Sequence, residues 1–455
     1  MGRAMVEALD PFGNAIHVQH ETSAAAVADF INGFLGYEPR ILAVLAAAEH
    51  DDSLIVQACA AALHLFSEAP SGPPGARACL QRAARARLPA SDRERQFAAA
   101  IDCWAQGDAA QAMRQHEALV MQHPRDLASL KLGQYHAFNQ GDAPTLLRLA
   151  LHALPAAHDV AWLHGMVAFG LEQTHRLDEA EAAARRALAM QPKEPWAQHA
   201  LAHVMLTDGR LAEGAAFMQQ ASSQWTGLTS FMRGHNWWHL ALFEIELGHD
   251  AAALALYDQQ VWGLDKSYSQ DQVGAVSLLA RLALAGLDVG DRWADLATHL
   301  TSRVSDQVLP FLDMQYLYGL ARAGRPEADV LLRNIERFAA HAPAGSRVVW
   351  QQVAVPAARG LLAHARGQWL AAADQLALAL PRLVAIGGSH AQRDLFEQVY
   401  IDALQRSGQW AGVLNLLQPH ANAQPQSLRL RRQLRPVLAE LGLPANHLPS
   451  QAARC

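Results

Sequence analysis

Four histidines have the spacing of metal ligands. His199 and His203 lie in the stretch QHALAHVML, and His235 and His239 lie in RGHNWWHLALFE. Residues four apart share one face of a helix, and histidine pairs at this spacing bind zinc in proteins with an HExxH motif. Two such pairs on neighbouring helices supply four nitrogens. The sequence therefore predicts a divalent metal such as zinc at this cluster.

A metal-free site is the alternative interpretation. A histidine whose pKa is near neutrality acts as a general acid or base, so His203, His235 and His239 are candidate catalytic residues. Neither pair has glutamate in the second place of the motif, so the metalloprotease version of HExxH is absent. A third interpretation is structural, because a helical histidine is usually packed or exposed to solvent.

The stretch IGGSHAQRD adds Ser389 and His390 as candidate ligand-binding residues. Ser389 followed by Gln392 also matches the S-x-x-Q capping box that begins a helix. The sequence favours this structural role for the serine.

The elements that position these residues are helices in a repeated unit. HRLDEAEAAARRALAMQPKEP has the small residues and the closing proline of the second helix of a tetratricopeptide unit. The 34-residue period of such units predicts repeat starts at Arg93, Leu127, Ala161 and Pro195. A fifth start, at Gly234, follows a longer loop, WTGLTSFMRG.

Residues not used to set the register agree with it. The turn between the two helices of a unit favours left-handed backbone, and it falls on Gly107, Gly141, His175 and Gly209. The same combination of glycine and a following small residue recurs further along the chain, at Gly248, Gly324, Gly367 and Gly408.

The predicted fold class is all-α, a tetratricopeptide-type superhelix (solenoid) of stacked helix-turn-helix units. No segment shows sustained alternation typical of strands. We expect residues 1–90 to form an N-terminal helical cap and residues 91–260 to form regular repeats. Residues 261–455 are predicted to form divergent helical repeats that continue the same superhelix.

In tetratricopeptide units the first helix lines a concave groove. The register predicts that both histidine pairs face it, together with Tyr135 and Trp162 among other aromatic residues. Apolar walls with few polar groups are typical of a ligand pocket. Arg233 and Asn236, beside His235, add hydrogen-bonding capacity for a carboxylate or phosphate.

Composition excludes several classes of protein. The chain has 455 residues, with 37 basic and 43 acidic side chains and a formal net charge of -6. The basic stretches at 76–89 and 428–436 lack interleaved aromatic residues, so no nucleic-acid partner is expected. Four scattered cysteines exclude a disulfide framework. We see no secretory signal and only short apolar runs, which predicts a cytoplasmic protein without a membrane partner.

Three motifs, HALAHVML, RGHNWWHLALFEIELG and IGGSHAQRD, resemble the tetratricopeptide repeat protein 38 family in order and approximate spacing. The resemblance covers most of the chain, and HNWWHLAL is its specific part. It implies a cytoplasmic helical-repeat protein whose recurring polar motifs include the two histidine pairs, Asn236 and residues 389–393. It implies no catalytic role for any of them.

Two functions fit these residues. The first is a binding module that holds a small molecule or short peptide in a groove lined by histidine and aromatic side chains. The alternative is an enzyme, such as a metal-dependent hydrolase, that uses the cluster of His199, His203, His235 and His239. The sequence leaves open whether the chain is an enzyme.

Overall fold

The computed structural model describes residues 5–444, and nearly all of its regular secondary structure is helical. The described chain forms two compact units. Unit 1 comprises residues 5–201 and 225–232, and unit 2 comprises residues 202–224 and 233–444. The division at residues 90 and 260 stays a prediction. Cys59, Cys79 and Cys103 are free, and Cys455 lies outside the described residues.

Unit 1 begins with a small hairpin that the all-helical prediction missed. Strand β1 (Val6–Leu9) pairs antiparallel with β2 (Ala15–Val18). The carboxylate of Asp10 accepts hydrogen bonds from the backbone N–H groups of Phe12 and Asn14, both at 2.9 Å. Each strand has four residues, so the alternation of side chains is too short to stand out in the sequence.

The regular repeats of unit 1 follow four N-terminal helices. Their first helices begin at or within one residue of the predicted starts at Arg93, Leu127 and Ala161, and the next helix begins at the predicted Pro195. The helices are α1 (Glu21–Gly36), α2 (Ala43–Ala48), α3 (Leu54–Phe66), α4 (Gly72–Ala86), α5 (Asp92–Ala105), α6 (Ala109–Gln122), α7 (Leu127–Asn139), α8 (Ala143–Ala157), α9 (Ala161–Gln173), α10 (Leu177–Met190) and α11 (Pro195–Thr207).

The predicted turns have the expected backbone. His175 has a φ of 58° although it carries a side chain, and the glycines at the equivalent turns also have positive φ. A left-handed residue at this place ends the first helix and lets the chain reverse into the second. The period predicted from the sequence is therefore confirmed.

Helix α1 covers part of the groove predicted for the early repeats. Lys131, on the first helix α7, donates hydrogen bonds to the carbonyls of Phe34 and Leu35 at the end of α1, at 2.7 and 3.2 Å. Its ammonium lies 3.7 Å from the ring centre of Tyr37. The chain itself therefore occupies this part of the predicted groove in unit 1.

Unit 2 contains the remaining helices, apart from residues 230–232, and these helices vary in length from 6 to 18 residues. They are α12 (Leu211–Ala221), α13 (Ser230–Leu247), α14 (Asp250–Leu256), α15 (Ser269–Leu284), α16 (Arg292–Leu300), α17 (Pro310–Arg322), α18 (Glu327–His341), α19 (Ala344–Val349), α20 (Val355–Ala365), α21 (Trp369–Ala379), α22 (His390–Arg406), α23 (Trp410–Ala423) and α24 (Leu428–Glu440). Helix α13 begins at Ser230, four residues before the predicted start, because SFMRG forms its first turn rather than a loop.

The turn glycines predicted in this region, Gly248, Gly324, Gly367 and Gly408, all have positive φ. Contacts between distant helices are a feature that the period does not predict. Gln424 donates to the carbonyl of Leu206 at 2.9 Å. In a linear repeat array each repeat contacts only its neighbours, whereas the C-terminal helices of unit 2 return to α11 and α13.

One helical segment among residues 5–444, Trp369–Ile386, is long and apolar enough to span a membrane, with a mean hydropathy of 1.4. It consists of α21 and a following 3-10 helix. Leu376 packs closely against Gly360 of α20. The segment therefore packs as a repeat helix does.

Candidate functional site

Three of the four predicted histidines come together in unit 2. The ring centre of His239 on α13 lies 4.5 Å from that of His203 on α11 and 4.9 Å from that of His235. One ring nitrogen of His235 and one of His239 lie within 4.8 Å of each other. The spacing of four residues puts His235 and His239 on one face of α13.

This geometry is close to that of a metal site. Zinc binds imidazole nitrogens at about 2.0–2.1 Å in a tetrahedral arrangement, so two nitrogens on one ion are about 3.4 Å apart. The nitrogens of His235 and His239 lie within 4.8 Å of each other, so these two rings are close to the separation that two ligands of one zinc ion have.

The histidines of the cluster are largely shielded from solvent, and this affects the protonation of His235. His203 and His239 are 1% and 0% exposed, and His235 is half-buried. Burial lowers the pKa of His235 to about 3, and the neighbouring His203 lowers it further. A neutral imidazole is the form that binds a metal, so this ring is ready as a ligand at neutral pH.

Close packing of α13 on α12 holds this face in place. A Cβ atom at Gly214 of α12 would overlap the ring of Phe243 on α13. Phe243 is fully buried, and it lies one turn beyond His239. The absence of a side chain at Gly214 therefore sets how closely the histidine-bearing helix approaches α12.

His199 lies in unit 1, on the part of α11 that precedes His203 by one turn. It is 1% exposed. Its ring stacks on Trp196 at 4.4 Å and lies 5.4 Å from Phe169. Because it precedes His203 by four residues, the two side chains leave α11 on the same face.

The two predicted aromatic ligand-binding residues both lie in unit 1 but in separate clusters. Tyr135 packs against Phe66 at 5.1 Å and its hydroxyl donates to Glu68 at 3.1 Å. Trp162 meets Phe12 of the hairpin turn edge-on at 6.3 Å. These contacts make both residues part of the packing of unit 1.

Arg233 and Asn236 flank His235 on α13. Arg233 is half-buried. It precedes His235 by two residues, so the two side chains do not face each other. Asn236 is fully buried, and neither its Oδ1 nor its Nδ2 has a hydrogen-bond partner among residues 5–444.

The second motif, at the start of α22, is linked to the histidines through a buried arginine. The ring of His235 stacks on Trp238 at 5.3 Å with an interplanar angle of 8°. The guanidinium of Arg281, on α15, lies 5.2 Å from the same indole. Arg281 also donates to the carbonyl of Ala391, at 2.5 Å. Burial lowers the pKa of Arg281 to about 10.

The structural role predicted for Ser389 is confirmed. Its hydroxyl accepts a hydrogen bond from the N–H of Gln392 at 3.3 Å, and its own N–H donates to the Gln392 side chain at 2.9 Å. His390 is half-buried, and its Nδ1 lies 3.4 Å from Arg393. The serine hydroxyl therefore caps α22.

Sequence reasoning missed the role of Arg281. The signal for it is a single arginine inside the apolar stretch AVSLLARLALAG, where a buried charge requires partners. Two carboxylates that follow the HNWWH segment in the sequence, those of Glu244 and Asp271, make different contacts. Glu244 accepts from His249 at 2.6 Å, whereas Asp271 lies against the backbone of α13 at Gly234.

No family model matches the sequence. Among solved structures, the TPR domain of P58(IPK) is similar with 12% identity and a TM-score of 0.20, covering 70% of this chain and 99% of that chain. A chain in the structure of Naa15/Naa10 bound to HypK-THB has 12% identity and a TM-score of 0.25, covering 92% of this chain and 68% of that chain. The chain is a helical-repeat protein of tetratricopeptide type. The evidence for this fold is the arrangement of its helices and the left-handed turns between them.

Proposed function

We propose that this protein binds a divalent metal ion, zinc by its ligand type, through His203, His235 and His239. The convergence of these three imidazoles in unit 2 carries the proposal, since their ring centres are separated by 4.5 and 4.9 Å. Imidazole nitrogens are among the ligands that zinc binds in proteins.

His199, the fourth histidine predicted from the sequence, belongs to unit 1 and is not part of the proposed ligand set. The motifs HALAHVML and HNWWHLAL that carry these residues are those that resemble the tetratricopeptide repeat protein 38 family. Membership of that family and a cytoplasmic location belong to the same proposal.

The bound metal would hold a small molecule or the end of a short peptide. Carboxylate and phosphate groups coordinate zinc readily, and a metal with protein ligands on one side keeps positions for them. His235 is partly exposed, which gives the ligand a route from solvent. The unsatisfied carboxamide of Asn236 favours a ligand that both donates and accepts hydrogen bonds.

A metal-dependent hydrolase is the second candidate. Three histidines with an open fourth position are the ligand set of catalytic zinc, which lowers the pKa of bound water to about 7. His203, His235 and His239 form such a set. Water at the open position would then be the nucleophile.

Elemental analysis of protein purified without a polyhistidine tag tests the metal. We expect about one zinc or similar ion per chain after incubation with the metal and removal of the excess, and its loss in His239→Ala. His341→Ala, at an exposed position, is the control and should keep the metal. A wild-type protein that takes up no metal while folded would overturn the proposal.

A second experiment distinguishes ligand binding at the metal from hydrolysis at the metal. Small carboxylates and phosphates are screened for thermal stabilisation of the metal-loaded protein, and the same protein is assayed with activated ester and phosphate-ester substrates. Stabilisation without turnover supports the binding protein. Turnover that disappears in His239→Ala supports the hydrolase.

A further inference from the structure

One side of α21 in unit 2 exposes apolar side chains to solvent. Leu370 and Leu378 of this helix are 62% and 63% exposed, and Val384 of the 3-10 helix that follows is 46% exposed. Only 33% of the segment Trp369–Ile386 is buried. Single exposed apolar residues are common on protein surfaces, whereas several on one element mark a surface that contacts another molecule.

The outer face of this segment consists of five exposed residues, Leu370, Asp374, Leu378, Arg382 and Val384. The first three are spaced at four residues and therefore lie along one side of α21. The last two belong to the 3-10 helix Leu380–Ile386, which continues the segment. The inner side of α21 is occupied within the chain, because Leu376 packs against Gly360 of α20.

The two charged residues make the outer face complementary to itself. Asp374 precedes Leu378 by four residues and Arg382 follows it by four, steps of about 6 and 7 Å along the segment. When two copies lie antiparallel with both Leu378 side chains at the two-fold axis, Asp374 of each copy faces Arg382 of the other. A two-fold interface makes such a contact twice. Within the chain Arg382 donates to Gln352, whose neutral side chain does not balance its charge.

A membrane surface fits the outer face less well. Amphipathic helices that lie on a membrane carry mostly Lys and Arg beside their apolar side. Here the carboxylate of Asp374 stands between the two exposed leucines in the sequence, and its transfer into lipid without a partner would cost free energy. A second copy of the chain supplies a guanidinium at this place.

We infer that two copies of this protein associate through their outer faces, with the two segments antiparallel. The inference is independent of the proposed metal site. Because the outer face belongs to a single helical segment, the dimer should be weaker than one with an interface of standard size. It should therefore form as the protein concentration rises.

Sedimentation equilibrium over a concentration series tests the association. We expect the wild-type protein to change from monomer to dimer. Leu378→Lys places two positive charges at the two-fold axis and should weaken dimerisation at least ~10-fold, because juxtaposed like charges oppose association. Leu42→Lys, at a leucine of unit 1 that is 56% exposed, is the matched control and should leave the dimer unchanged. A wild-type protein that stays monomeric up to ~500 µM would overturn the inference.

Exchange of the charges tests the antiparallel arrangement. Asp374→Arg and Arg382→Asp each put like charges opposite one another, so each variant alone should dimerise less than the wild type. The double variant restores both pairs, and an equal mixture of the two single variants restores them in a heterodimer. A dimer that none of these changes affects, or a double variant as weak as the single ones, would contradict the proposed interface.

Two further measurements separate other causes. Circular dichroism should show that the variants fold, because all the changed side chains are exposed. If Leu378→Lys does not fold, Leu378→Gln takes its place. Sedimentation with vesicles of phosphatidylcholine and phosphatidylserine tests the membrane. Vesicle binding that Leu378→Lys abolishes, in a protein that forms no dimer, would assign the outer face to a membrane surface instead.

Discussion

Arg281 of α15 lies with its guanidinium 5.2 Å from the ring centre of Trp238 on α13 and donates a hydrogen bond to the carbonyl of Ala391 on α22. Two motifs far apart in the sequence, HNWWH and GGSHAQRD, are thereby connected through a single side chain. Arg281 is 2% exposed, and its nearest carboxylate, Asp394, is 3.8 Å away. The position of α22 against α15 therefore depends on the hydrogen bonds of this arginine.

Replacement of Arg281 by methionine should weaken unit 2. The substitution removes donors to Ser277 and Ala391 and leaves their acceptors without these bonds. We expect a loss of about 2–4 kcal/mol in the free energy of unfolding, measured with denaturant. Arg359→Met removes an exposed arginine paired with Glu336 and should change stability by less than about 0.5 kcal/mol. Equal stability of the two variants would contradict a structural role for Arg281.

Addition of one methyl group at Gly214 should displace α13. A Cβ there overlaps the buried ring of Phe243, and overpacking of a core costs about 1–3 kcal/mol. We expect Gly214→Ala to lower thermal stability and to weaken metal binding in a titration, because α13 carries His235 and His239. The double variant with Phe243→Leu makes room for the methyl group and should recover much of both losses. A double variant no better than Gly214→Ala would exclude this contact as the cause.

The capping serine of α22 should matter for stability and not for metal binding. Ser389→Ala removes the hydrogen bond to the N–H of Gln392, which costs about 1 kcal/mol. Ser91, which forms a capping box with Glu94 at the start of α5 in unit 1, is a matched control. Both alanine variants should lose similar stability and keep the wild-type metal affinity. Loss of metal in Ser389→Ala alone would instead give the hydroxyl a role in the site.

Acidification should destabilise the protein through a second histidine pair. In unit 1 the rings of His116 and His136 stack 5.8 Å apart, and His116 bonds Ser129 at 2.7 Å. Burial lowers the pKa of His136 to about 3. Burial also lowers the pKa of His116 well below its usual value, and His136 adds to the effect.

The direction of the pH dependence follows from proton binding. Both histidines stay neutral in the folded chain, whereas in the unfolded chain they bind protons below about pH 6.5. Stability is therefore complete above that pH and falls toward pH 3, by about 1.4 kcal/mol per pH unit for each histidine. Denaturant unfolding between pH 7.5 and 5 should show a smaller slope for His136→Leu. An unchanged slope would mean that this histidine is protonated in the folded state.

The repeat register was predictable because it depends on local features. Small residues and a left-handed turn act within one unit, so His175 and the glycines marked the turns correctly. The first hairpin was missed because strands as short as Val6–Leu9 carry little pattern. The contact of α1 with Lys131 was not predicted, because the repeat register describes only packing between neighbouring units.

The candidate site likewise combines features that the sequence predicts with features that only packing sets. Helical spacing alone puts His235 and His239 on one face of α13, and His199 and His203 on one face of α11. Packing decides which ring of one helix approaches which ring of the other. The sequence does not show that Arg281 and Asp271, on α15, border this segment.

By itself the sequence determined the helices, their period and the face on which each histidine lies, since these depend on residues a few positions apart. Only the tertiary structure decided that α22 and α24 return to helices more than a hundred residues earlier, as the contact of Arg281 with Ala391 shows. Such contacts depend on the shapes and charges of two surfaces, and the residues that form these surfaces follow no fixed spacing in the sequence. The surroundings of the histidine cluster are therefore a property of the fold, whereas the histidines themselves and their spacing are visible in the sequence.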